Sequence, residues 1–465
     1  MAKHWEYYSD QDKQIDPDYG HDIISKDRYV SQEFMDLERE NIWKKIWLMG
    51  GPLLDLKEPG DYITTEILDE SILIMKGEDL KIRAFYNVCQ HRGNQLVHSP
   101  LGNAKQHKCT FHAWAYNSAG TLINVPDEET FSQGAPCEKL SLKEIPCDTW
   151  GGFAWFSLNK DVEPLMDFLG IIPEHLDPYH FENMQLVNDV TVEMPYNWKT
   201  SVDAFNETYH VVETHPELTS WLEDLDIQID VYDKHNRYIV PFGTPSSHLE
   251  DKKTISDDLR LYMEQAGLDS SKFKGDATEV RRAIQLQRRE HGADMGYDFS
   301  ELNDDQLSDD FHYLIFPNIT LNIYPESMML FRQRPHPTDP NKSLFDLQNY
   351  LMQPEATIPG VTDNQDISGS KSKNTEEKKE VVARKRRMGG TFKEIPTEVE
   401  RPIHRQFKHG EESLGVVLDQ DAYNLPHVQK GMNSDGYDGL WLGTQELRIR
   451  HFHETIDDYV FKNKR

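Results

Sequence analysis

The sequence predicts an α+β protein in which a small antiparallel β domain precedes a larger domain of helices and antiparallel strands. From about residue 50 to residue 160, short β-like runs are broken by Gly, Pro and Asp, which is typical of a small antiparallel domain. Beyond about residue 165, helical segments come first and strand-like runs follow as a group, as in α+β folds. The 465 residues allow about two to four domains.

The composition disfavours several classes of function. With 50 Lys and Arg against 80 Asp and Glu, the formal net charge is −30, which disfavours binding to nucleic acid or to an anionic membrane. The first residues lack the apolar segment of a secretion signal, and no stretch reaches the length of a membrane-spanning helix. We therefore expect a cytoplasmic protein. Four cysteines in so long a chain argue against a disulfide framework and direct attention to metal binding.

The N-terminal third of the chain predicts one helix followed by strands. We divide it into an N-terminal helical segment, residues 1–45, and a β domain, residues 46–160. Apolar residues recur with a helical period over 31–47. The clearest strand-like runs of the β domain are 61–67, 71–75, 82–88 and 153–158.

Residues 161–465 form the second predicted domain. The pattern predicts a helix over 198–213, charged helices over 256–292 and 299–310, strands over 319–324, 328–334 and 343–351, and a closing helix from about 435 to 459. Residues 355–400 stand apart as a charged insertion rich in Ser, Thr, Asn, Lys and Glu. A solvated insertion is the favoured interpretation, and a basic docking patch for an acidic redox partner is the alternative.

Two Cys–His pairs are the strongest local signal. Cys89 is followed by His91, and after seventeen intervening residues Cys109 is followed by His112. A Rieske [2Fe–2S] centre requires two Cys on one iron and two His on the other, and two short loops can clamp such a cluster from opposite sides. A structural zinc site is the competing interpretation, but its usual order groups Cys with Cys and His with His.

The residues around both pairs resemble the Rieske domain of ring-hydroxylating oxygenases. The matching stretches read NVCQHRG at 87–93 and CTFHAWAY at 109–116. The Rieske proteins of respiratory complexes carry an extra Cys in each cluster loop, whereas Cys137 and Cys147 lie outside both loops here and are interpreted as ordinary thiols. The resemblance implies a [2Fe–2S] cluster bound by Cys89, His91, Cys109 and His112.

A second candidate metal site follows at Glu207, His210 and His215. Glu207 and His210 are three positions apart and would share one helix face, but five positions separate the two histidines, which is about 140° on an ideal helix. Because a residue before proline is disfavoured in the helical region, Pro216 is expected to end the helix and let His215 turn back towards His210. Two His and one carboxylate on one face of a metal are typical of non-haem Fe(II) oxygenases.

This segment is similar to the iron motif of the same oxygenases. The similarity implies that His210 and His215 are ligands of a mononuclear iron and that Glu207 is the acid just outside them. In the family the third ligand lies far downstream, before a Gln-x-Gly element. Here Asp421 aligns best, with Asp419 as the alternative.

Two positions depart from the family pattern. Glu207 stands where the family commonly has Asp, so the carboxylate is kept with a longer reach. Asp203 stands where dioxygenases often carry Asn, and a second carboxylate near the iron would change the polarity of the pocket. The pocket is expected to be lined by residues near the iron motif and on the later strands: Phe205, Leu218, Trp221, Leu321 and Ile323.

The resemblance also implies the architecture and assembly of the enzyme. A Rieske domain would precede a helix-grip catalytic domain of the START/Bet v1 type, in which a long C-terminal helix packs on a curved antiparallel sheet. The subunits would form a ring-shaped homotrimer, or an α3β3 assembly with a small β subunit. The cluster of one subunit would serve the iron of its neighbour, with His112 facing Glu207 across the interface.

The implied activity is that of a terminal oxygenase. It would use a [2Fe–2S] cluster, a mononuclear Fe(II) and O2. With these it would hydroxylate, cis-dihydroxylate or oxidatively demethylate a small organic substrate, and the resemblance implies an aromatic one. Electrons would come from NAD(P)H through a separate reductase or ferredoxin, because the chain has no Gly-x-Gly-x-x-Gly fingerprint. Two other function classes stay open: an electron carrier with an inactive catalytic domain, and a non-enzymatic carrier of hydrophobic ligands.

Overall fold

The computed structural model describes residues 18–353 and 400–461, together with the backbone of two strands between residues 385 and 394. Most of the predicted charged insertion, residues 355–400, lies outside the described residues. So do the first seventeen residues of the predicted N-terminal segment.

The helices of the described residues are mostly short. None of them combines the length and the apolar composition that crossing a bilayer requires. Their bounds are α1 (Asp27–Val30), α2 (Gln32–Glu38), α3 (Leu165–Leu169), α4 (Ile172–Leu176), α5 (Trp198–Phe205), α6 (Val211–Thr214), α7 (Asp257–Gln265), α8 (Ala277–His291), α9 (Val416–Met432) and α10 (Leu447–Phe461).

The strands fall into an N-terminal and a C-terminal group. The first group is β1 (Ile24–Ser25), β2 (Trp47–Pro52), β3 (Asp61–Ile67), β4 (Glu70–Lys76), β5 (Ile82–Tyr86), β6 (Leu101–Asn103), β7 (Gln106–Lys108), β8 (Ala115–Asn117), β9 (Leu122–Asn124), β10 (Glu144–Ile145), β11 (Cys147–Trp150) and β12 (Phe153–Ser157). The second group is β13 (Met184–Met194), β14 (Gln228–Val231), β15 (Asn236–Val240), β16 (Asp310–Ile315), β17 (Ile319–Tyr324), β18 (Ser327–Pro335), β19 (Ser343–Met352), β20 (Lys385–Met388), β21 (Thr391–Glu394), β22 (Arg405–Lys408) and β23 (Gly439–Leu440).

The first domain is built from small antiparallel sheets. A five-stranded sheet has the order β10–β5–β4–β3–β6, β12 lies between β11 and β2, and β7, β8 and β9 form a third sheet. The chain leaves β5 into the loop that contains Cys89, and the connection from β7 to β8 contains Cys109 and His112. The two Cys–His pairs therefore lie on two separate loops of one β scaffold.

An eight-stranded sheet dominates the second domain. Its order is β14–β15–β16–β17–β18–β19–β13–β22, and β13 and β22 are its one parallel pair among the described strands. The expectation of an antiparallel sheet is thus wrong at this edge, and the sheet is mixed. Helix α10 packs against β14 and β15, and α5 packs against β18 and β19. The predicted α+β class is confirmed.

The helix predicted over 31–47 ends early. The Ser31 hydroxyl caps α2 by accepting the Phe34 amide hydrogen bond at 3.3 Å, and the helix continues as a π-helical turn over Arg39–Trp43. Trp47 instead begins β2 and pairs with Ser157 of β12. Both the helix and the strand contribute apolar residues to the same core. The apolar residues of 31–47 therefore fit one helical period although they belong to two elements.

Three other helix predictions need correction. The segment 256–292 forms two helices, α7 and α8, and the segment 299–310 contains no helix. In that second segment the side chains of Asn303 and Gln306 each accept a hydrogen bond from the other's backbone amide, at 2.7 and 2.9 Å, and such local bonds compete with helix formation. The closing helix begins at Leu447 rather than near 435. The predicted strands are confirmed to within two residues at each end.

Two arginines of β18 connect the domains. Arg332 donates a hydrogen bond to the carbonyl of Met49 at 2.9 Å, and Arg334 donates to the carbonyl of Glu66 at 3.2 Å. The buried carboxylate of Asp346, on β19, accepts from both guanidinium groups at 2.7 to 2.8 Å. This clamp joins the large sheet to β2 and β3 of the first domain.

Candidate metal centres and cavity

The two Cys–His loops close in the same way. The Cys89 amide donates to the carbonyl of Asn94, and the Cys109 amide donates to the carbonyl of Trp114, both at 2.8 Å. The residue four positions after each cysteine has a left-handed backbone, Gly93 with φ +75° and Ala113 with φ +61°. Each loop therefore folds back on its cysteine and exposes the residues in between.

The four predicted cluster residues meet at the tip of these loops. Cys89 and Cys109 are buried free thiols, whereas His91 and His112 are partly exposed and their ring centroids lie 4.5 Å apart. The His91 ring stacks on Trp114 at 4.7 Å, and its Nδ1 is buried without a hydrogen-bond partner among the described residues. Burial, together with His112 and Arg92, lowers the pKa of His91, which favours the neutral ring with a nitrogen lone pair. This donor set fits a Rieske cluster.

The sulfur atoms have different surroundings. Burial raises the pKa of Cys89, although the Tyr116 hydroxyl lies 3.5 Å from its Sγ. Burial also acts to raise the pKa of Cys109, but the backbone amides of Phe111 and His112 outweigh it and the pKa is lowered. Hydrogen bonds to the sulfurs are one of the means by which proteins set a cluster's potential.

The helix predicted over 198–213 is interrupted, and the interruption forms the second site. Helix α5 ends at Phe205, and the four-residue α6 begins only at Val211. Between them the Glu207 carboxylate accepts from the His210 amide at 3.0 Å, and the Thr208 hydroxyl donates to the Asp224 carbonyl at 2.7 Å. The expected sharing of one helix face by Glu207 and His210 is therefore wrong, because a turn brings them together.

The two histidines flank α6 and point to one place. His210 Nε2 and His215 Nε2 lie 3.6 and 2.9 Å from the same oxygen, Oδ1 of Asp421. One ligand atom from each of the three residues lies within 4.8 Å of the others. Asp419 lies elsewhere, since its carboxylate accepts from the Leu414 amide at 2.8 Å. The structure thus brings Asp421, not Asp419, to the histidines.

The other nitrogen of each imidazole is held by an oxygen acceptor. His210 Nδ1 lies 2.6 Å from Glu207 Oε1, and His215 Nδ1 lies 2.7 Å from Gln420 Oε1. When Nδ1 carries the proton, Nε2 presents its lone pair, as in metal-bound histidines whose second nitrogen is hydrogen-bonded. The sequence reasoning missed Gln420, although its place directly before Asp421 on α9 was a usable signal.

The charge of the second site favours a cation. Burial acts to lower the pKa of His210, but the Glu207 and Asp421 carboxylates outweigh it and raise that pKa to about 9. The same carboxylates would stabilise a divalent ion that takes the place of the second proton of His210. These residues fit the 2-His-1-carboxylate arrangement of a mononuclear Fe(II).

The candidate Asp203 lies apart from this cluster. Its carboxylate accepts from the Tyr29 hydroxyl at 2.5 Å and lies 3.2 Å from His453 Nε2. It is buried in this contact between α5, α1 and α10 and is not among the cavity-lining residues described.

A cavity of about 220 Å³ opens beside the three potential ligands. The expected lining residues Phe205, Leu218 and Trp221 are confirmed. Leu321 and Ile323 do not line it and belong to the apolar core, whereas Asn322 and Tyr324 do line it. Alternate residues of a strand point to opposite faces, so the apolar residues of β17 were assigned to the wrong face.

A chain with a paired Cys–His site and a 2-His-1-carboxylate site on an α+β scaffold is, as a class, an iron protein built for electron transfer and oxygen chemistry. Comparison with known families agrees. The family model "Ring hydroxylating alpha subunit (catalytic domain)" matches residues 181–462, and the model "Rieske [2Fe-2S] domain" matches residues 46–146. The chain belongs to the family of ring-hydroxylating oxygenase alpha subunits, and the family implies a Rieske cluster and a mononuclear iron.

Individual relatives are more distant. The glycine betaine monooxygenase oxygenase subunit of Pseudomonas aeruginosa is 29% identical over 198 residues, which are 43% of this chain and 46% of that protein. The large oxygenase component of a naphthalene 1,2-dioxygenase system from a Ralstonia species is 33% identical over 190 residues, 40% of this chain and 42% of that protein. The chain spans about half the length of the curated relatives it matches.

A solved structure matches nearly the whole fold. It is a quaternary ammonium Rieske monooxygenase, described for carnitine oxidation by gut microbiota, with a TM-score of 0.64 and 19% identity over 94% of this chain and 95% of that one. This similarity concerns the fold.

Proposed function

We propose that this chain is the oxygenase subunit of a Rieske-type system that uses O2 to hydroxylate or oxidatively demethylate a small organic substrate. The observation that carries the proposal is the meeting of His210, His215 and Asp421 at the wall of a cavity of about 220 Å³. A separate pair of Cys–His loops on the same chain supports a division of labour between electron delivery and substrate oxidation.

The proposal assigns ligands to both centres. Cys89, Cys109, His91 and His112 would hold a [2Fe–2S] cluster, and His210, His215 and Asp421 would hold Fe(II). When bound, the two groups supply single electrons and open iron positions for O2.

The protein's own part is to orient the ligands. The Glu207 carboxylate can only accept, so it selects the His210 tautomer that carries its proton on Nδ1 and fixes the ring direction. Gln420 Oε1 does the same for His215. Apolar side chains, including Phe205 and Leu218, form part of the cavity wall on which both imidazoles lie.

The proposal includes partners. A separate NAD(P)H reductase or ferredoxin would supply electrons, in keeping with relatives that are described as oxygenase subunits. In a homotrimer, His112 of one copy would face Glu207 of the next, and the exposed Phe111 beside His112 supports an approach of this loop to another protein surface. A cytoplasmic location is part of the same proposal.

Metal analysis of two variants tests the assignment. The native protein, reconstituted without oxygen, is expected to contain about three iron atoms and two sulfides per chain. His210→Ala should keep the visible spectrum of the cluster, lose about one iron and lose substrate-dependent O2 uptake with a reductase. Cys109→Ala should lose the spectrum.

Matched controls separate these losses from general damage. His98→Ala, at an exposed position, and Cys137→Ala, outside both loops, should behave like the native protein. If His210→Ala retains O2 uptake, the iron assignment is wrong. If the native protein holds the cluster but no third iron, the chain is an electron carrier instead.

A further inference from the structure

One wall of the cavity contains a carboxylate without a counterion. Asp310 lines the cavity and is 6% exposed. Its Oδ1 is buried and has no hydrogen-bond partner, and the carboxylate has a backbone hydrogen bond from Ile323 but no ion pair within the described part of the chain. Burial of an unpaired charge is unfavourable unless a partner balances it, so this position is suited to an incoming positive group.

Several aromatic rings line the same cavity as this carboxylate. Val240 of β15 is paired with Asp310 of β16, and Tyr238 and Phe242 lie two positions before and after Val240. Residues two apart on a strand share a face, so Tyr238 lies on the same face as Val240 and Asp310, and Phe242, just beyond β15, lines the same cavity. Aromatic faces attract cations.

Further rings complete this wall. Trp221 packs on Phe242 with ring centroids 4.8 Å apart, and Phe242 packs on Tyr324 at 5.8 Å. Tyr262 lies 5.4 Å from Trp221. All of them line the same cavity.

The charges of the wall favour a cation over an anion. Arg288, a base of the cavity lining, is paired with Glu326 Oε1 at 3.0 Å. Glu326 Oε2 is buried without a hydrogen-bond partner, as is Asp310 Oδ1. Arg448 acts on Asp310 only at a distance. The lining therefore holds two acids against one base, apart from the residues assigned to iron.

We infer that the substrate is an alkylated ammonium ion whose positive head is held by Asp310 among these rings. This inference rests on the proposed oxygenase function and names its substrate class. A primary ammonium would bring three N–H donors, whereas the rings and neighbours such as Val240 and Leu222 offer apolar surface. Alkyl groups on the nitrogen match those surfaces and leave the charge to Asp310.

The position of Tyr238 links this wall to the candidate iron site. Burial raises the pKa of Tyr238, and the carboxylates of Asp310, Glu207 and Asp421 all raise it further. The Tyr238 hydroxyl therefore lies within electrostatic range of Asp310 and of the candidate iron site. A cation held at Asp310 would therefore lie in the same cavity as His210 and His215.

Two ligands of nearly equal shape, one charged and one neutral, test the inference in a binding measurement that needs no turnover. Choline and 3,3-dimethylbutan-1-ol differ in charge but hardly in size. Isothermal titration of the anaerobic holoenzyme should show choline binding at least about tenfold more tightly, in line with cation–π and ion-pair attraction in a desolvated site. Asp310→Asn should reduce this preference by about tenfold and leave the affinity for the neutral alcohol unchanged. Asp233→Asn removes the same charge from an 86% exposed position and should change neither affinity.

The failure of this inference can be told apart from failure of the oxygenase proposal. Equal affinities for both ligands, or a preference that survives in Asp310→Asn, overturns the inference. Iron content and reductase-dependent O2 uptake with uncharged substrates would then still support the oxygenase. Melting curves check that Asp310→Asn is folded, and a conservative Asp310→Glu variant should restore part of the preference for choline.

The pH dependence gives a second readout. Burial raises the pKa of Asp310 to about 8, so at neutral pH a bound cation takes the place of the proton that this carboxyl carries in the free site. The charged and titratable groups around it are Arg448 of α10, Asp309, His312 and Tyr238. Choline affinity should increase with pH up to about 8 and then level off, whereas affinity for the neutral alcohol should stay flat. A flat profile for choline overturns the assignment of Asp310.

Discussion

At the scale of single residues, the Glu207 carboxylate makes two contacts with His210, one with the backbone amide and one with the ring. One carboxylate oxygen accepts from the His210 backbone amide at 3.0 Å, and the other lies 2.6 Å from His210 Nδ1. The same side chain thus stabilises the turn between α5 and α6 and orients the imidazole. The extra methylene relative to Asp is what lets one residue reach both groups.

Glu207→Gln is expected to weaken mononuclear iron binding by about 10- to 100-fold, the usual effect of losing a partner that orients a metal-bound histidine. The amide keeps an acceptor for Nδ1 but loses the charge. Competition with a ferrous chelator measures the affinity, and the cluster's visible spectrum should be unchanged.

Glu213→Gln is the matched control for that variant, because Glu213 is an exposed carboxylate of α6. Equal iron retention in Glu207→Gln and Glu213→Gln would contradict an orienting role for Glu207.

At the scale of elements, strands were easier to predict than helices. The strands of the large sheet have apolar residues on buried faces and were found to within two residues. The helix over 198–213 failed because its interruption depends on contacts with distant residues, such as Thr208 with Asp224. A pattern of apolar residues contains no record of such contacts. The sequence also left open which alternate residues of β17 face the cavity, because both faces of this strand are buried.

The candidate ligands were predictable because their spacing is local. Each pair of candidate ligands is close in sequence: Cys89 and His91 on one loop, Cys109 and His112 on another, and His210 and His215 on either side of α6. Asp421 depended on a resemblance, since 206 positions separate it from His215. Asp310 had no local signal, because a lone acid at the start of a strand is ordinary until the cavity around it is known.

The cluster loops allow a stability prediction. Ala113 adopts φ +61°, where a non-glycine residue is strained, and the equivalent position in the other loop is Gly93. Ala113→Gly should raise the temperature at which the cluster's visible absorbance is lost by about 1–3 °C, because relief of strain exceeds the added entropy of the unfolded chain.

Ala119→Gly serves as the comparison for Ala113→Gly, since Ala119 is exposed and has no positive φ. It should lower that temperature, because only the entropy term remains. The same shift in both variants would argue against strain at Ala113.

At the scale of the whole molecule, the clamp of Arg332, Arg334 and Asp346 joins the two domains. Asp346 is buried, and although burial acts to raise its pKa, the two guanidinium groups hold that pKa well below its usual range. A carboxyl with a lowered pKa in the folded state contributes stability above its unfolded pKa and loses it as the pH falls. The clamp therefore contributes fully at neutral pH and weakens below about pH 4.

Asp346→Asn should cost about 3–5 kcal/mol in the free energy of unfolding at pH 7, because it leaves the partly buried guanidinium groups of Arg332 and Arg334 without their counterion. Denaturant unfolding measures the loss, and limited proteolysis should cut more readily between the domains.

Asp339→Asn breaks a partly exposed pair with Lys342 and should cost no more than about 1 kcal/mol. A loss for Asp346→Asn as small as that of Asp339→Asn would show that the domains do not depend on the clamp.

The contact between His215 and Asp421 spans 206 positions of the chain. An ion bound by both residues would cross-link distant parts of the chain. The entropic cost of closing a loop grows slowly with its length. Because metal binding is then part of the free energy of folding, α9, which also packs through Leu418 and Leu425, would be held more firmly once iron is bound. Scarcity of iron would thus weaken the architecture of the molecule as well as its chemistry.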